Sequence, residues 1–68
     1  MKFLKQLKAR RKALKLTQQD IADLLHICRE QYNRLENGKS NITLDQYATA
    51  MTYLTITEYI REIDKNEQ

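Results

Sequence analysis

The side chains best suited to specific recognition are concentrated in one short stretch, REQYNRLEN, residues 29–37. Arginine donates a planar fork of hydrogen bonds, glutamate accepts hydrogen bonds, and asparagine and glutamine do both. If the stretch is helical, an advance of roughly 100° per residue turns Tyr32 and Leu35 towards a core. Such a helix suits a partner whose surface is polar and negatively charged. The side chains that it turns outward are those of Arg29, Glu30, Asn33, Arg34 and Asn37.

His26 and Cys28 are the one histidine and the one cysteine of the chain, and they are the residues that catalysis or metal binding would use. A base and a nucleophile also need an orienting third group and an oxyanion site, and nothing in the sequence forms them. A zinc ion needs three or four ligands. We therefore expect no enzyme activity, no metal and no cofactor. We expect His26 at a tight turn with positive φ, and Cys28 at a helix cap.

Arg11 falls on the same helical stripe as Leu4, Leu7 and Leu14, so it is drawn towards the interior. An interior arginine needs a carboxylate, and an arginine–carboxylate pair is the planar, two-pronged kind that tolerates burial best. Glu36 is the candidate, because it lies at the end of the predicted helix, beside the inward Tyr32 and Leu35. We predict a structural ion pair between Arg11 and Glu36. The alternative is a solvated Arg11 on a basic face.

The elements that would position these residues are all helical, because apolar residues recur at spacings of three and four and no segment alternates with the period of a strand. Five helices are predicted, the fifth beginning at Thr55 or at Thr57. Their apolar stripes are Leu4, Leu7 and Leu14; Ile21, Ala22 and Leu25; Tyr32 and Leu35; Leu44, Tyr47, Ala48, Met51 and Leu54; and Ile56, Tyr59, Ile60 and Ile63.

Helix boundaries are marked by short polar patterns. Thr17 precedes Asp20 by three residues and Thr43 precedes Gln46 by three, which is the spacing of a capping box. Gly38 is expected to close helix three in a left-handed conformation. The second helix must end near residue 25 and the third must begin near residue 28, so the sequence predicts a helix-turn-helix.

Size and charge limit what the chain can do. At 68 residues it is one domain, 1–68, near the size at which a single core is marginal, so a partner subunit would supply extra burial. No apolar run is long enough for a secretory signal or a membrane span, and we expect a cytoplasmic protein. The net charge is +3, but seven of the twelve basic residues and no acidic residue fall before Thr17, and this basic start suits an anionic partner, although we expect the lysines of helix one to be a solvated face. These basic residues are Lys2, Lys5, Lys8, Arg10, Arg11, Lys12 and Lys15.

Three motifs at fixed spacing carry a family resemblance: LTQQDIADLL at 16–25, RLENGK at 34–39 and NITL at 41–44. Together they resemble the Cro/repressor-type helix-turn-helix family, also called the XRE family, over roughly residues 7–60. The resemblance implies an all-α, compact five-helix lambda-repressor-like domain with the helix-turn-helix formed by helices 2 and 3. It also implies the internal Arg11–Glu36 pair, in agreement with the stripe argument.

The resemblance further implies binding to double-stranded DNA, with helix three in the major groove. Gln18, Asn37 and Lys39 match positions that contact phosphates. His26 stands where the family usually has a turn glycine. The positions that match or adjoin the base-reading sites are Cys28, Arg29, Glu30, Gln31, Asn33 and Arg34.

Tyr53 and Ile63 belong either to the peripheral core or to a dimer surface, and we favour a homodimer interface formed by Tyr53, Tyr59, Ile60 and Ile63. A two-fold dimer would present its recognition helices about 34 Å apart to a palindromic operator. The favoured function is a bacterial or phage transcriptional regulator, specifically a nucleoid-associated repressor with no small-molecule ligand. The alternative is an antitoxin that also binds a toxin protein.

Overall fold

The computed structural model describes the backbone of residues 2–67 and the side chains of residues 3–65. Within these residues the chain forms four α-helices and no strand: α1 Lys2–Ala13, α2 Gln18–Leu25, α3 Arg29–Glu36 and α4 Leu44–Glu67. The two ends of the predicted domain 1–68, and the side chain of Lys2, lie outside the described residues. No helix in the described part of the chain has both the length and the apolarity needed to cross a membrane.

The predicted count of five helices is wrong, because the fourth and fifth predicted helices are one continuous helix, α4. Neither glycine nor proline occurs in residues 44–67, so nothing in this span breaks a helix once it has started. The two threonines that were expected to cap a fifth helix make other hydrogen bonds. The hydroxyl of Thr57 donates to the Tyr53 carbonyl within α4 at 2.8 Å, and the hydroxyl of Thr55 accepts a hydrogen bond from Arg10 at 3.0 Å.

Both predicted capping boxes are confirmed. At the start of α2 the Asp20 amide donates to the Thr17 hydroxyl at 3.1 Å, and the Thr17 amide donates to the Asp20 carboxylate at 2.8 Å. At the start of α4 the Gln46 amide donates to the Thr43 hydroxyl, and the Thr43 amide donates to the Gln46 side chain, both at 3.0 Å. These bonds satisfy amides that would otherwise have no partner in the first turn.

Three residues with positive φ end the first three helices. His26, with φ 59° and ψ 40°, ends α2, and Gly38, with φ 75°, follows α3, both as predicted. Lys15, with φ 61°, was not anticipated. It ends α1 in a Schellman-type arrangement, in which the Leu16 amide donates to the Arg11 carbonyl at 3.0 Å.

The core is built where α1, α2, α3 and α4 meet. The largest fully buried side chains are Tyr32, Leu7, Ile21, Leu35 and Leu54, and Leu4, Leu14, Ala22 and Ala50 complete the buried apolar set. Two residues assigned to the fourth apolar stripe are exposed instead: Leu44, with 83% of its surface accessible, and Ala48. Leu44 is in the first turn of α4 and points away from the core, and Ala50 takes the buried position on this helix.

A second apolar stripe runs along the other side of α4. At 100° per residue, Tyr53, Ile56, Ile60 and Ile63 lie within roughly 80° of one another, and their stripe is centred roughly 140° away from Leu54. All four are exposed, by 37%, 51%, 51% and 37%, and Tyr59 beside them is 67% exposed. We call these four residues the outer stripe of α4. A single helix cannot turn both faces to one core, so this stripe has no cover within the described residues.

Candidate nucleic-acid interface

Helix α3 is held by its inner face and by the tight turn before it. Tyr32 and Leu35 are 0% and 1% exposed, so they fix the rotation of α3 about its axis. In the turn the Ile27 amide donates to the Ala22 carbonyl at 3.0 Å, and the His26 amide donates to the Asp23 carbonyl at 3.2 Å. The left-handed His26 therefore lets α3 begin with only three residues between it and α2.

The outer face of α3 carries polar side chains and is open to solvent. Cys28 occupies the N-cap position with φ −79° and ψ 159°, and its side chain makes no capping hydrogen bond. No other element within the described residues covers this face. The helical projection predicted five of its exposed residues, and Cys28 and Gln31 adjoin them. The exposed residues are Cys28, Arg29, Glu30, Gln31, Asn33, Arg34 and Asn37.

The Arg11–Glu36 ion pair lies directly behind this face. Arg11 Nε donates to Glu36 Oε2 at 2.9 Å, and Arg11 Nη2 donates to Glu36 Oε1 at 3.0 Å. Arg11 Nη1 also donates to the Leu16 carbonyl at 2.7 Å. The two charged residues are only 6% and 4% exposed. The pair is two-pronged and joins α1 to the last turn of α3.

Both charges of this pair persist at neutral pH. Burial by itself would raise the pKa of the Glu36 carboxyl, but the hydrogen bonds from Arg11, supported by one from Gln18, outweigh burial and lower that pKa below its ordinary value of 4.5. The hydrogen bonds to Glu36 likewise raise the pKa of the Arg11 guanidinium. The pair is thus a fixed, neutralised unit in the interior.

The hydroxyl of Tyr32 is buried next to the ion pair and forms no hydrogen bond of normal geometry within the described residues. Burial, reinforced by the neighbouring Glu36 carboxylate, raises the pKa of this hydroxyl well above its ordinary value of 10.0. Tyr32 therefore stays protonated and neutral, and its ring serves as the anchor of α3.

Gln18 connects the ion pair to the exposed face of α3. Its Nε2 donates to Glu36 Oε1 at 3.3 Å, and its Oε1 accepts from Asn33 Nδ2 at 3.2 Å. An amide nitrogen carries two protons, so Gln18 still has one proton to donate to an anion. Gln18 also lies in the first turn of α2, where the helix dipole favours negative charge. A chain of hydrogen bonds thus runs from Arg11 through Glu36 and Gln18 to Asn33.

The residues after α3 are ordered by contacts with its last turn. Asn37 Nδ2 donates to the Asn33 carbonyl at 2.9 Å, and the Lys39 amide donates to the Arg34 carbonyl at 2.8 Å. Arg34 Nε donates to the Ser40 hydroxyl at 3.1 Å. This contact orients the guanidinium of Arg34, and its two terminal nitrogens form no hydrogen bond within residues 3–65.

The structure brings one part of the predicted site into a single shallow concavity of about 270 Å³. It is lined by Gln18, Arg29, Glu30 and Asn33, so the start of α2 and the start of α3 share one surface. Asn37 and Lys39 follow the other end of α3. The predicted dimer residues do not join this surface, because they lie on α4.

Sequence reasoning missed two arginines that hold the distal part of α4 against α1. Arg10 Nε donates to Glu58 Oε1 at 2.9 Å, and Arg10 Nη2 donates to the Thr55 hydroxyl. Arg61 Nη1 donates to the Leu14 carbonyl. These partners are more than 40 residues apart in the chain, so no periodic pattern could have joined them.

The comparison with protein families gives one match. A family model described as Helix-turn-helix matches residues 7–58, which include most of α1, all of α2 and α3, and the first part of α4. The matched span contains the ion pair, Gln18 and the complete exposed face of α3. The comparisons with curated proteins and with solved structures returned no match.

Proposed function

Because this chain belongs to the Cro/repressor-type (XRE) family of helix-turn-helix transcriptional regulators, we propose that it represses transcription by binding a palindromic operator as a homodimer, with α3 in the major groove. DNA binding and transcriptional regulation come with the family, which is a family of regulators and not of enzymes. Repression, the palindrome, the dimer and the individual contacts are the proposal.

One observation carries the proposal: a polar, exposed helix face is attached to a rigid, charged support. The side chains on the outer face of α3 are exposed, so they can be substituted without disturbing the core. Arg11 and Glu36, which support this face, cannot be substituted in the same way, because they are buried and joined by two hydrogen bonds. A reading surface needs side chains held in a fixed place relative to the DNA backbone, and this arrangement supplies it.

The proposed base contacts follow from the donors and acceptors on α3. Arg29 and Arg34 can each donate two hydrogen bonds to guanine O6 and N7, and Glu30 can accept one from cytosine N4. Gln31 and Asn33 can pair with adenine N6 and N7. Cys28, at the N-cap, is the first of these side chains and suits contact with a thymine methyl group or a sugar.

The proposed phosphate contacts lie at the two ends of the reading face. Gln18 has a free amide proton at the start of α2, where the positive end of the helix dipole adds to the attraction. Asn37 and Lys39 follow α3, and Lys39 is exposed and positively charged. Contacts at both ends would fix the register of α3 along the groove.

The proposed dimer forms through the outer stripe of α4. At the start of this stripe is a groove of about 390 Å³, lined by Leu24, Ala48, Thr49, Thr52, Tyr53 and Ile56. A two-fold interface is self-complementary, so the isoleucines of one copy would pack into this groove of the other. Tyr59, Ile60 and Ile63 continue the same apolar surface. A toxin protein on this stripe is the competing occupant, and a measurement of self-association separates the two.

The test is selection of bound duplexes from a random-sequence library, with Arg34→Ala compared with the wild-type protein. We expect a palindrome, and we expect the variant to lose preference at one position in each half-site by about 1 to 3 kcal/mol. Repression is then measured by placing the selected palindrome over a reporter promoter. Weak binding that selects no sequence and disappears at moderate salt would contradict direct reading by α3.

A further inference from the structure

A cleft of about 230 Å³ lies between the first half of α1 and the residues that follow α3, at the edge of the proposed reading surface. Lys5 and Lys8 line it from α1, and Asn37 and Gly38 line it from the other side. Leu4 and Glu36 complete the lining. This cleft therefore joins the basic face of α1, which we expected to be merely solvated, to the residues next to the recognition helix.

The charged residues that line this cleft carry a net positive charge. Glu36 is its one acidic lining residue, and both of its oxygens are already paired with Arg11. Neither Lys5 nor Lys8 forms an ion pair within residues 3–65. Lys5 is exposed and Lys8 is half-buried, so both ammonium groups are available to an anion from outside.

The backbone amides next to the cleft are not free to bind an anion. The Gly38 amide donates to the Leu35 carbonyl at 3.2 Å, and the Lys39 amide donates to the Arg34 carbonyl at 2.8 Å. These donors are occupied inside the protein. A phosphate at this point would have to be bound mainly by side chains, and Lys5 and Lys8, three residues apart on one face of α1, are positioned to do so.

We propose that Lys5 and Lys8 form a second phosphate-binding subsite, which contacts the DNA backbone beyond the bases read by α3. This inference rests on the proposed DNA-binding mode. With α3 in the major groove, Asn37 faces the sugar–phosphate backbone at the end of that helix, and the cleft extends the same surface outward. The two lysines would then hold the flank of each half-site and contribute affinity without sequence preference.

The test is the salt dependence of binding to the selected operator, measured for the wild type, Lys5→Gln, Lys8→Gln and the control Lys65→Gln. Each variant removes one positive charge from a side chain that is not fully buried, and Lys65 lies near the far end of α4. We expect the slope of log K against log [salt] to become shallower by about 0.9 for each phosphate that Lys5 or Lys8 no longer neutralises. Lys65→Gln should leave the slope unchanged.

A second measurement locates the subsite on the DNA. Replacing a single flanking phosphate by an uncharged methylphosphonate should weaken binding of the wild type and leave the Lys5→Gln/Lys8→Gln variant unaffected at one backbone position. If all three lysine variants show the same slope as the wild type, and the wild type still selects its operator, the subsite alone is overturned. A wild-type protein that selects no operator would overturn the proposed function itself.

Discussion

The helix-turn-helix, residues 17–39, and the distal half of α4, from Thr55 onward, are stabilised in different ways. In the helix-turn-helix, apolar residues face one core, and the buried ion pair behind α3 is satisfied by protein groups. In distal α4, no apolar residue is buried after Leu54 within the described residues, and Arg10 of α1 and Arg61 of α4 make the hydrogen bonds that hold it to α1 and to Leu14, the residue after α1.

The difference shows which part of the molecule is self-sufficient. In the helix-turn-helix the exposed face of α3 is polar, and water solvates it. Distal α4 leaves isoleucines exposed, and each half-exposed isoleucine forgoes part of the stabilisation that burial gives. The helix-turn-helix buries its inner face within one chain, whereas the isoleucines of distal α4 stay uncovered within the described residues, which is why the proposed dimer uses them.

The largest expected effect is on the buried ion pair. Glu36→Gln removes one charge and leaves Arg11 charged in the interior, which should lower the free energy of unfolding by about 3 to 5 kcal/mol. The control is Glu58→Gln, which breaks the Arg10–Glu58 pair, whose side chains are 31% and 43% exposed. That change should cost at most about 1 kcal/mol. Urea unfolding of the two variants measures the contrast, and equal losses would contradict it.

Acid should act on the same pair. The folded-state pKa of Glu36 lies below its ordinary value of 4.5, so its stabilising contribution is complete above that value and is lost as the pH falls through the folded-state pKa. We expect the wild type to lose more stability than Glu36→Gln when urea unfolding is repeated from neutral pH to below about pH 4. Parallel curves for the two proteins would show that Glu36 is not the group responsible.

The next largest effect should be on dimerisation, and the folding of the monomer should be unchanged. Ile56→Gln/Ile60→Gln replaces two half-exposed residues of the outer stripe, and each counts twice in a two-fold dimer. The dissociation constant of the dimer should rise at least about thirty-fold. Sedimentation measures it, and Ala9→Gln, on the exposed side of α1, is the control.

Two outcomes would contradict that dimer. A wild-type protein that remains monomeric at concentrations at which it binds its operator would assign the stripe to another protein, such as a toxin. A double variant that dimerises as well as the wild type would place the interface elsewhere. In either case DNA selection by α3 could remain intact.

The smallest expected effect concerns the turn. His26 holds a left-handed conformation that costs an L residue roughly 1 to 2 kcal/mol, and glycine adopts it freely but loses more chain entropy on folding. His26→Gly should therefore stabilise the protein by about 0.5 to 1 kcal/mol. Ala9→Gly, in the middle of α1, should destabilise it by about 1 kcal/mol. Thermal unfolding compares them, and a loss of stability in His26→Gly would show that the left-handed conformation costs histidine less than the added chain entropy costs glycine.

Local patterns in the sequence were sufficient where the interaction is local. Thr17 with Asp20 and Thr43 with Gln46 are three residues apart, and each pair forms the predicted capping box. The same patterns misled at Thr55 and Thr57, because a capping residue competes with helix propagation, and no glycine or proline interrupts α4. Helical periodicity also placed Leu44 and Ala48 in the core, since it cannot tell which side of a two-faced helix will be covered.

The sequence by itself determined the family, the helix-turn-helix and the outward face of α3. It also determined the partnership of Arg11 with Glu36, because Arg11 is the charged residue on the apolar stripe of α1 and few carboxylates are placed to meet it. Only the tertiary structure decided that α4 is continuous, that Arg10 and Arg61 hold it to α1, and that Lys5 and Lys8 border the end of α3. These are contacts between residues distant in the chain. Their geometry depends on how whole helices cross, which no local spacing encodes.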